Sequence, residues 1–151
     1  MADPDWKASA AEIEAIVDGR HGDPFAVLGL HESGNRWVAR AFVPGAEELE
    51  VRTREGTLLA ALARRHGAGF FEGPVPVKAR VPLAYHARNA GGEWTVSDAY
   101  LLGPVLGPLD DYYIAEGNHL RLYDRLGAHP MRHEGQDGVH FAVWAPNASR
   151  V

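Results

Sequence analysis

Cysteine is absent from the 151 residues. That excludes disulfides and thiolate metal sites, and it fits a reducing compartment, with the cytoplasm as the expected location. No long apolar run is present, and the opening Met1-Ala2-Asp3-Pro4-Asp5 is acidic, so neither a signal peptide nor a membrane span is expected. Lys and Arg form no run, and 15 basic against 20 acidic residues leave a formal charge of -5. Such a chain is not expected to bind nucleic acid or an anionic membrane, whereas neutral ligands stay open. A phosphate-loop pattern is missing as well; Gly91-Gly92, Gly103-Pro104 and Gly107-Pro108 read as turns.

What is there is globular: 46% hydrophobic and 23% charged residues over a length that suits one domain. The informative feature is a repeat. Leu28-Gly29-Leu30-His31 leads through a Gly/Asn turn into Arg36-Trp37-Val38-Ala39-Arg40-Ala41-Phe42-Val43, followed by Pro44-Gly45-Ala46. Leu126-Gly127-Ala128-His129 leads through a Gly-containing loop into Val139-His140-Phe141-Ala142-Val143-Trp144-Ala145, followed by Pro146-Asn147-Ala148. Laying Pro44 on Pro146 puts Phe42 on Trp144 and Leu49 on Val151, with a short insertion in the loop. The chain therefore reads as one complete β domain plus the first strand of a second, and as a piece of something longer.

Ser9-Ala10-Ala11-Glu12 has the form of a capping box, and Ile13, Ile16 and Val17 give the short helix behind it one apolar face. From Arg36 the period changes to two, with Trp37, Ala39, Ala41 and Val43 on one face and Val38, Arg40 and Phe42 on the other. Leu49 to Thr53 alternates, Arg54-Glu55-Gly56 turns, and Thr57 to Leu62 returns; the spacing favours a hairpin, although the Ala/Leu content also suits a helix. Gly69 to Gly73, Leu83 to Arg88 and Glu93 to Val96 supply further short strands. The expected fold is all-β, an immunoglobulin-like β-sandwich with a short N-terminal helix, plus the first strand of a second β-sandwich. Asp110 to Gly117 suits one or two helical turns with an Asp cap, and residues 118–138 show no period long enough for an element of their own.

His21-Gly22-Asp23-Pro24-Phe25-Ala26-Val27-Leu28-Gly29-Leu30-His31, Ser97-Asp98-Ala99-Tyr100 with Gly103-Pro104, Asp111-Tyr112-Tyr113-Ile114 with Glu116-Gly117, and the Leu126 to His129 and Phe141 to Ala148 motifs together resemble the N-terminal region of bacterial glycogen branching enzymes. The resemblance runs from His21 across almost the whole chain. Ala99 stands where that family usually has Pro and Leu101-Leu102 where it often has Arg-Phe, departures that bear on local turns. The resemblance implies an N-terminal β-sandwich, then a carbohydrate-binding β-sandwich, a catalytic barrel and a C-terminal β domain. It further implies a parent enzyme of glycogen biosynthesis that needs no cofactor, with α-glucan and the catalytic barrel of the same polypeptide as partners. The segments are then 1–22 helix, 23–109 sandwich, 110–138 interdomain and 139–151 start of the second sandwich. A debranching relative's N-terminal module is the alternative, as is a purely structural packing module.

A retaining glucanotransferase needs a nucleophilic carboxylate and an acid/base carboxylate about 5 Å apart. The chain does not offer that pair: Asp110 and Asp111 suit a helix cap, Glu47 and Glu48 flank a turn and Asp98 follows a strand. No catalytic residue is expected here. His129 and His133 are four apart, but Pro130 opposes the helix that would make them metal ligands, and with His119 they are expected in surface or loop roles. The aromatics remain, because sugar rings stack on exposed Trp or Tyr. Trp37, Tyr85, Trp94 and Trp144 are the candidate glucan-binding residues, weighed against the habit of strand aromatics to lie in cores.

Overall fold

The computed structural model describes residues 6–148; expectations placed on Met1 to Asp5 and on Arg150-Val151 lie outside the described residues. The chain divides into two compact units, Met1–Leu101 and Leu102–Val151.

The first unit opens with helix α1 (Ala10–Val17). Its capping box forms as expected: Ser9 Oγ accepts from the Glu12 N–H at 3.2 Å and the Glu12 carboxylate accepts from the Ser9 N–H at 2.8 Å. Two otherwise orphaned donors of the first turn are thereby satisfied, an arrangement whose loss costs about 1 kcal/mol. Seven strands follow: β1 (Gly29–Ser33), β2 (Arg36–Phe42), β3 (Glu48–Thr53), β4 (Leu58–His66), β5 (Phe70–Val75), β6 (Leu83–Asn89) and β7 (Gly92–Val96). They hydrogen-bond in the order β1-β2-β5-β4-β3-β6-β7, antiparallel throughout. The hairpin reading of residues 49–62 is correct, with Leu49 opposite Leu62 and Val51 opposite Ala60.

Strand β4 closes the sandwich. Its residues 58–62 pair with β3, and Ala63, Arg64 and His66 pair with β5, with register shifts on both sides. Such bulges bend a strand, and here the bend folds one sheet into two facing halves. Between them lie Ala39 and Ala41 of β2, Leu49 and Val51 of β3, Phe71 of β5 and Tyr85 and Ala87 of β6, all essentially inaccessible. A second core of Ile13, Ile16, Val27, Leu28 and Phe70 fills the space under α1. Phe70 and Phe71 are adjacent and fully buried, one in each core, because successive strand side chains point to opposite faces. Each contributes about 2–3 kcal/mol by burial.

The second unit holds helix α2 (Pro108–Ala115), a 3-10 turn (Leu122–Asp124) and the hairpin of β8 (Gly127–His133) and β9 (Gln136–Ala142). Residues 118–138, expected to lack an element, thus contain the turn, all of β8 and the start of β9. Gly127-Ala128-His129-Pro130-Met131-Arg132-His133 carries no apolar alternation because the strand is defined by seven backbone pairs to β9 rather than by burial. The expected Asp cap of α2 also differs in detail: Gly107 is the N-cap, and Asp110, in the first turn, accepts the Gly107 N–H at 3.1 Å.

The repeat extends further back than its sequence motif. Residues 9–31 and 107–129 correspond one for one. Each copy has an eight-residue helix ended by a left-handed glycine, Gly19 or Gly117. In each, a histidine Nδ1, of His21 or His119, accepts the N–H two residues on, at 3.1 and 3.2 Å. A 3-10 turn, Pro24–Ala26 or Leu122–Asp124, comes next. A second histidine then donates from Nε2 to the carbonyl three residues back, His31 to Leu28 at 2.8 Å and His129 to Leu126 at 2.9 Å. The insertion lengthens the hairpin from five pairs to seven, so that Gly29 opposite Arg40 becomes Gly127 opposite Ala142.

Candidate functional site

Within the first unit the candidate aromatics Trp37, Tyr85 and Trp94 do not share one exposed surface. Tyr85 is a correction: its ring is fully buried and its hydroxyl donates to the Arg40 carbonyl of the facing half at 3.2 Å, so it has no free face for a sugar. Burial, with the Asp98 charge second, holds its phenol well above the usual range. Trp37 on β2 and Trp94 on β7 are half-buried and pack against the main core from its two halves. Trp144 lies just beyond β9 in the second unit and is 57% exposed.

The titratable groups are largely engaged. Glu72, fully buried on β5, accepts from the Ala8 N–H at 3.0 Å and from Arg40 Nε at 3.3 Å and is paired with Arg65. Arg40 also donates through Nη2 to the Trp6 carbonyl, so this ionic knot ties the segment before α1 to the sheet. Alternation along β3, β6 and β7 puts Glu48, Glu50, Arg52, His86, Arg88 and Glu93 on one charged surface. There Arg88 binds Glu48, Arg52 binds Glu50 and His86 meets Glu93 at 3.1 Å. Asp98 accepts the Tyr100 N–H at 2.9 Å, yet burial keeps its carboxyl above the ordinary range. The histidines considered as metal ligands are taken up by oxygen acceptors: His129 by the Leu126 carbonyl, His133 by the Gly103 carbonyl and His119 by Asp110. Among the described residues no three His, Cys, Asp or Glu side chains gather as a metal site, and no helix is long and apolar enough to cross a membrane.

One concavity was not anticipated from the sequence. It is an open groove of about 630 Å³ in the second unit, between the start of α2 and the loop that follows it. Leu109, Tyr113 and Leu120 contribute to its walls, and Asp110, His119 and Arg125 are its convergent polar groups. His119 Nδ1 accepts the Arg121 N–H, which leaves the ring proton on Nε2 to be donated to Asp110 Oδ1 at 2.9 Å. Arg125 Nε reaches the same oxygen at 3.0 Å. The His119 hydrogen bond, then the Gly107 N–H, hold the Asp110 carboxyl below its ordinary range. The available sequence signal was the cluster of large apolar side chains in a Gly-, His- and charge-rich segment.

Fold and site together define a β-sandwich module followed by a second copy of its own opening, with Glu12, Glu72, Asp98 and Asp110 committed to caps, turns and ion pairs. The family model for the alpha-1,4-glucan branching enzyme GlgB, N-terminal domain, matches residues 9–100, and the chain belongs to that family. It is 62% identical over 148 residues to a 1,4-alpha-glucan branching enzyme GlgB of Mesorhizobium japonicum and 60% identical to that of Rhizobium meliloti, covering 98% of this chain in both cases. The corresponding protein of Novosphingobium aromaticivorans is 53% identical over 96% of the chain. The chain spans about a fifth of the length of these relatives: 20% in each case. It covers their N-terminal domain and not the catalytic one.

Proposed function

We propose that this chain is the non-catalytic N-terminal part of a 1,4-alpha-glucan branching enzyme acting in the cytoplasm. Its parent cuts an α-1,4-glucan chain and transfers it to a 6-hydroxyl by double displacement, on carboxylates outside these residues. The part present here orients the glucan or sets the length of chain transferred, and the catalytic barrel of the same polypeptide is its protein partner. The observation that carries the reading is the identity of about 60% to named branching enzymes across nearly all of the chain. The commitment of the best-held carboxylates to caps and ion pairs supports the non-catalytic part of it. In this reading the second sandwich opens at α2, because the correspondence between the two copies starts there.

The test compares a parent enzyme with a version lacking residues 1–101. Both are expected to form branches, with different length distributions of the transferred chains after debranching and chromatography. Identical distributions would remove the role in chain length, and new α-1,6 linkages made on amylose by the isolated chain would remove the non-catalytic reading. A packing module is the second reading, favoured by Val139, Phe141 and Val143, which are 50%, 75% and 63% exposed.

A further inference from the structure

We infer that Arg80 and Phe25 form a clasp on the Tyr100-Leu101 turn that stiffens the point where the chain leaves the first unit, and that the unit's influence on transferred chain length depends on this stiffness. The second half of the inference rests on the proposed role in chain length; the clasp itself rests on the geometry of the first unit alone.

The 3-10 turn Ala99–Leu101 is the last element of the first unit, which ends at Leu101. Distant parts of the chain converge on it. Leu101 is buried in the main core and Tyr100 packs against the second core under α1, so two successive side chains are set into different cores. Phe25, from the 3-10 turn before β1, meets the Tyr100 ring edge to face with 4.7 Å between centroids. Gly29 admits the Tyr100 carbonyl, whose oxygen a β-carbon at that position would overlap. Asp98 closes the turn from inside, accepting the Tyr100 N–H on its carboxylate at 2.9 Å and the Leu101 N–H on its carbonyl at 3.1 Å.

Arg80 completes the clasp from the loop between β5 and β6. Its guanidinium donates from Nη1 to the Leu30 carbonyl at 3.2 Å and from Nη2 to the Leu101 carbonyl at 2.8 Å, bridging the first strand of the unit and its final residue. A planar fork with donors in fixed directions suits two carbonyls at once, as a single ammonium does not. The loop is a firm support: Pro76 and Pro82 stand at its two ends with their φ fixed, and Val77 packs on the main core. The sandwich does not need these bonds to form, because β1 is paired with β2 along its whole length and Leu30 and Leu101 are buried through their own side chains. What Arg80 adds is a hold on the last carbonyl of the unit, directly before Leu102-Gly103-Pro104. Units joined by one stretch of chain move independently unless the connection is held, so a bond at this carbonyl has more leverage than one deeper in the fold.

The experiment joins amide hydrogen exchange in the full chain, followed by NMR, with chain-length analysis in a parent enzyme. Arg80→Met is expected to speed exchange at the Tyr100 and Leu101 amides about tenfold while leaving those of Ala39, Ala41 and Phe71 unchanged, since local opening is separable from global unfolding. Phe25→Ala should act in the same direction, and Arg80→Lys should fall between Arg80→Met and the parent chain. In the parent enzyme Arg80→Met is expected to shift the transferred chains towards the lengths made by the version lacking residues 1–101, at an unchanged rate of branching. Unchanged exchange at Tyr100 and Leu101 would overturn the clasp, and so would faster exchange spread equally over the core amides, which would make Arg80 a support of the whole sandwich. A distribution unmoved by Arg80→Met, while the shortened version differs from the parent, would overturn the inference and leave the role in chain length standing. Identical distributions from the parent and the shortened version would overturn that role and this inference together.

Discussion

Glu72 shows how one buried side chain can hold two parts of the fold together. Its carboxylate is inaccessible, joined to Arg40 and Arg65 and to the Ala8 N–H, and Arg40 in turn holds the Trp6 carbonyl. Removing one member of a buried ion pair leaves the others uncompensated, typically at about 3–5 kcal/mol. Glu72→Gln is therefore expected to lower stability by about 3 kcal/mol in urea unfolding and to loosen the segment before α1 in hydrogen exchange; an unchanged midpoint would refute this account. Asp98 makes the opposite case. Burial raises its carboxyl above the unfolded value, so folding favours the protonated form, and that contribution is lost as pH rises through the folded-state value. Asp98→Asn retains an oxygen for the Tyr100 N–H and carries no charge. It should be more stable than the parent chain at pH 7, with the difference closing towards pH 3. Equal urea midpoints at pH 7 would count against a buried charge at this site.

At the scale of elements, the two copies provide an internal control. Gly29 and Gly127 open equivalent strands with φ of 100° and 102°, a region that side chains rarely adopt. A β-carbon at Gly29 would also overlap the Tyr100 carbonyl oxygen, whereas at Gly127 the nearest atom is His129 Nε2 at 3.9 Å. Gly127→Ala thus carries backbone strain alone, about 1–2 kcal/mol, and Gly29→Ala carries strain plus displacement of the turn at Tyr100. Unfolding of the two variants should show the larger loss at Gly29. Equal losses would mean that the close approach to Tyr100 is easily relieved.

For the whole molecule, the decisive contrast is between the same strand face in its two settings. Ala39 and Ala41 of β2 lie in the closed core, while their counterparts Phe141 and Val143 follow the same pattern in a unit whose described sheet has two strands. A two-stranded sheet offers free edges and an uncovered face, both of which recruit partners. The full chain is expected to gain mass with concentration in sedimentation, and a version ending at Leu101 is expected to remain monomeric. Phe141→Asp in the full chain should reduce the association. A full chain that stays monomeric at every concentration would show that this face needs no cover.

Local sequence determined a good deal: the Ser9–Glu12 box, the two-residue period of β2, β3 and β6, the hairpin across residues 54–57, and the repeated Leu-Gly-x-His motif. Each is written in neighbouring residues, because caps, turns and facing are settled within a few positions of the chain. Tertiary structure alone decided that β4 changes partner midway, that Tyr85 is enclosed, that Arg40 and Glu72 meet across 32 positions, and that residues 107–129 repeat residues 9–31. β8 was illegible for a related reason, since its order comes from backbone pairing, which leaves little hydrophobic signature. The groove was hidden because Leu109, Tyr113 and Leu120 look like core residues in sequence. Only the fold shows that nothing described lies over them, since burial is a property of the assembled chain.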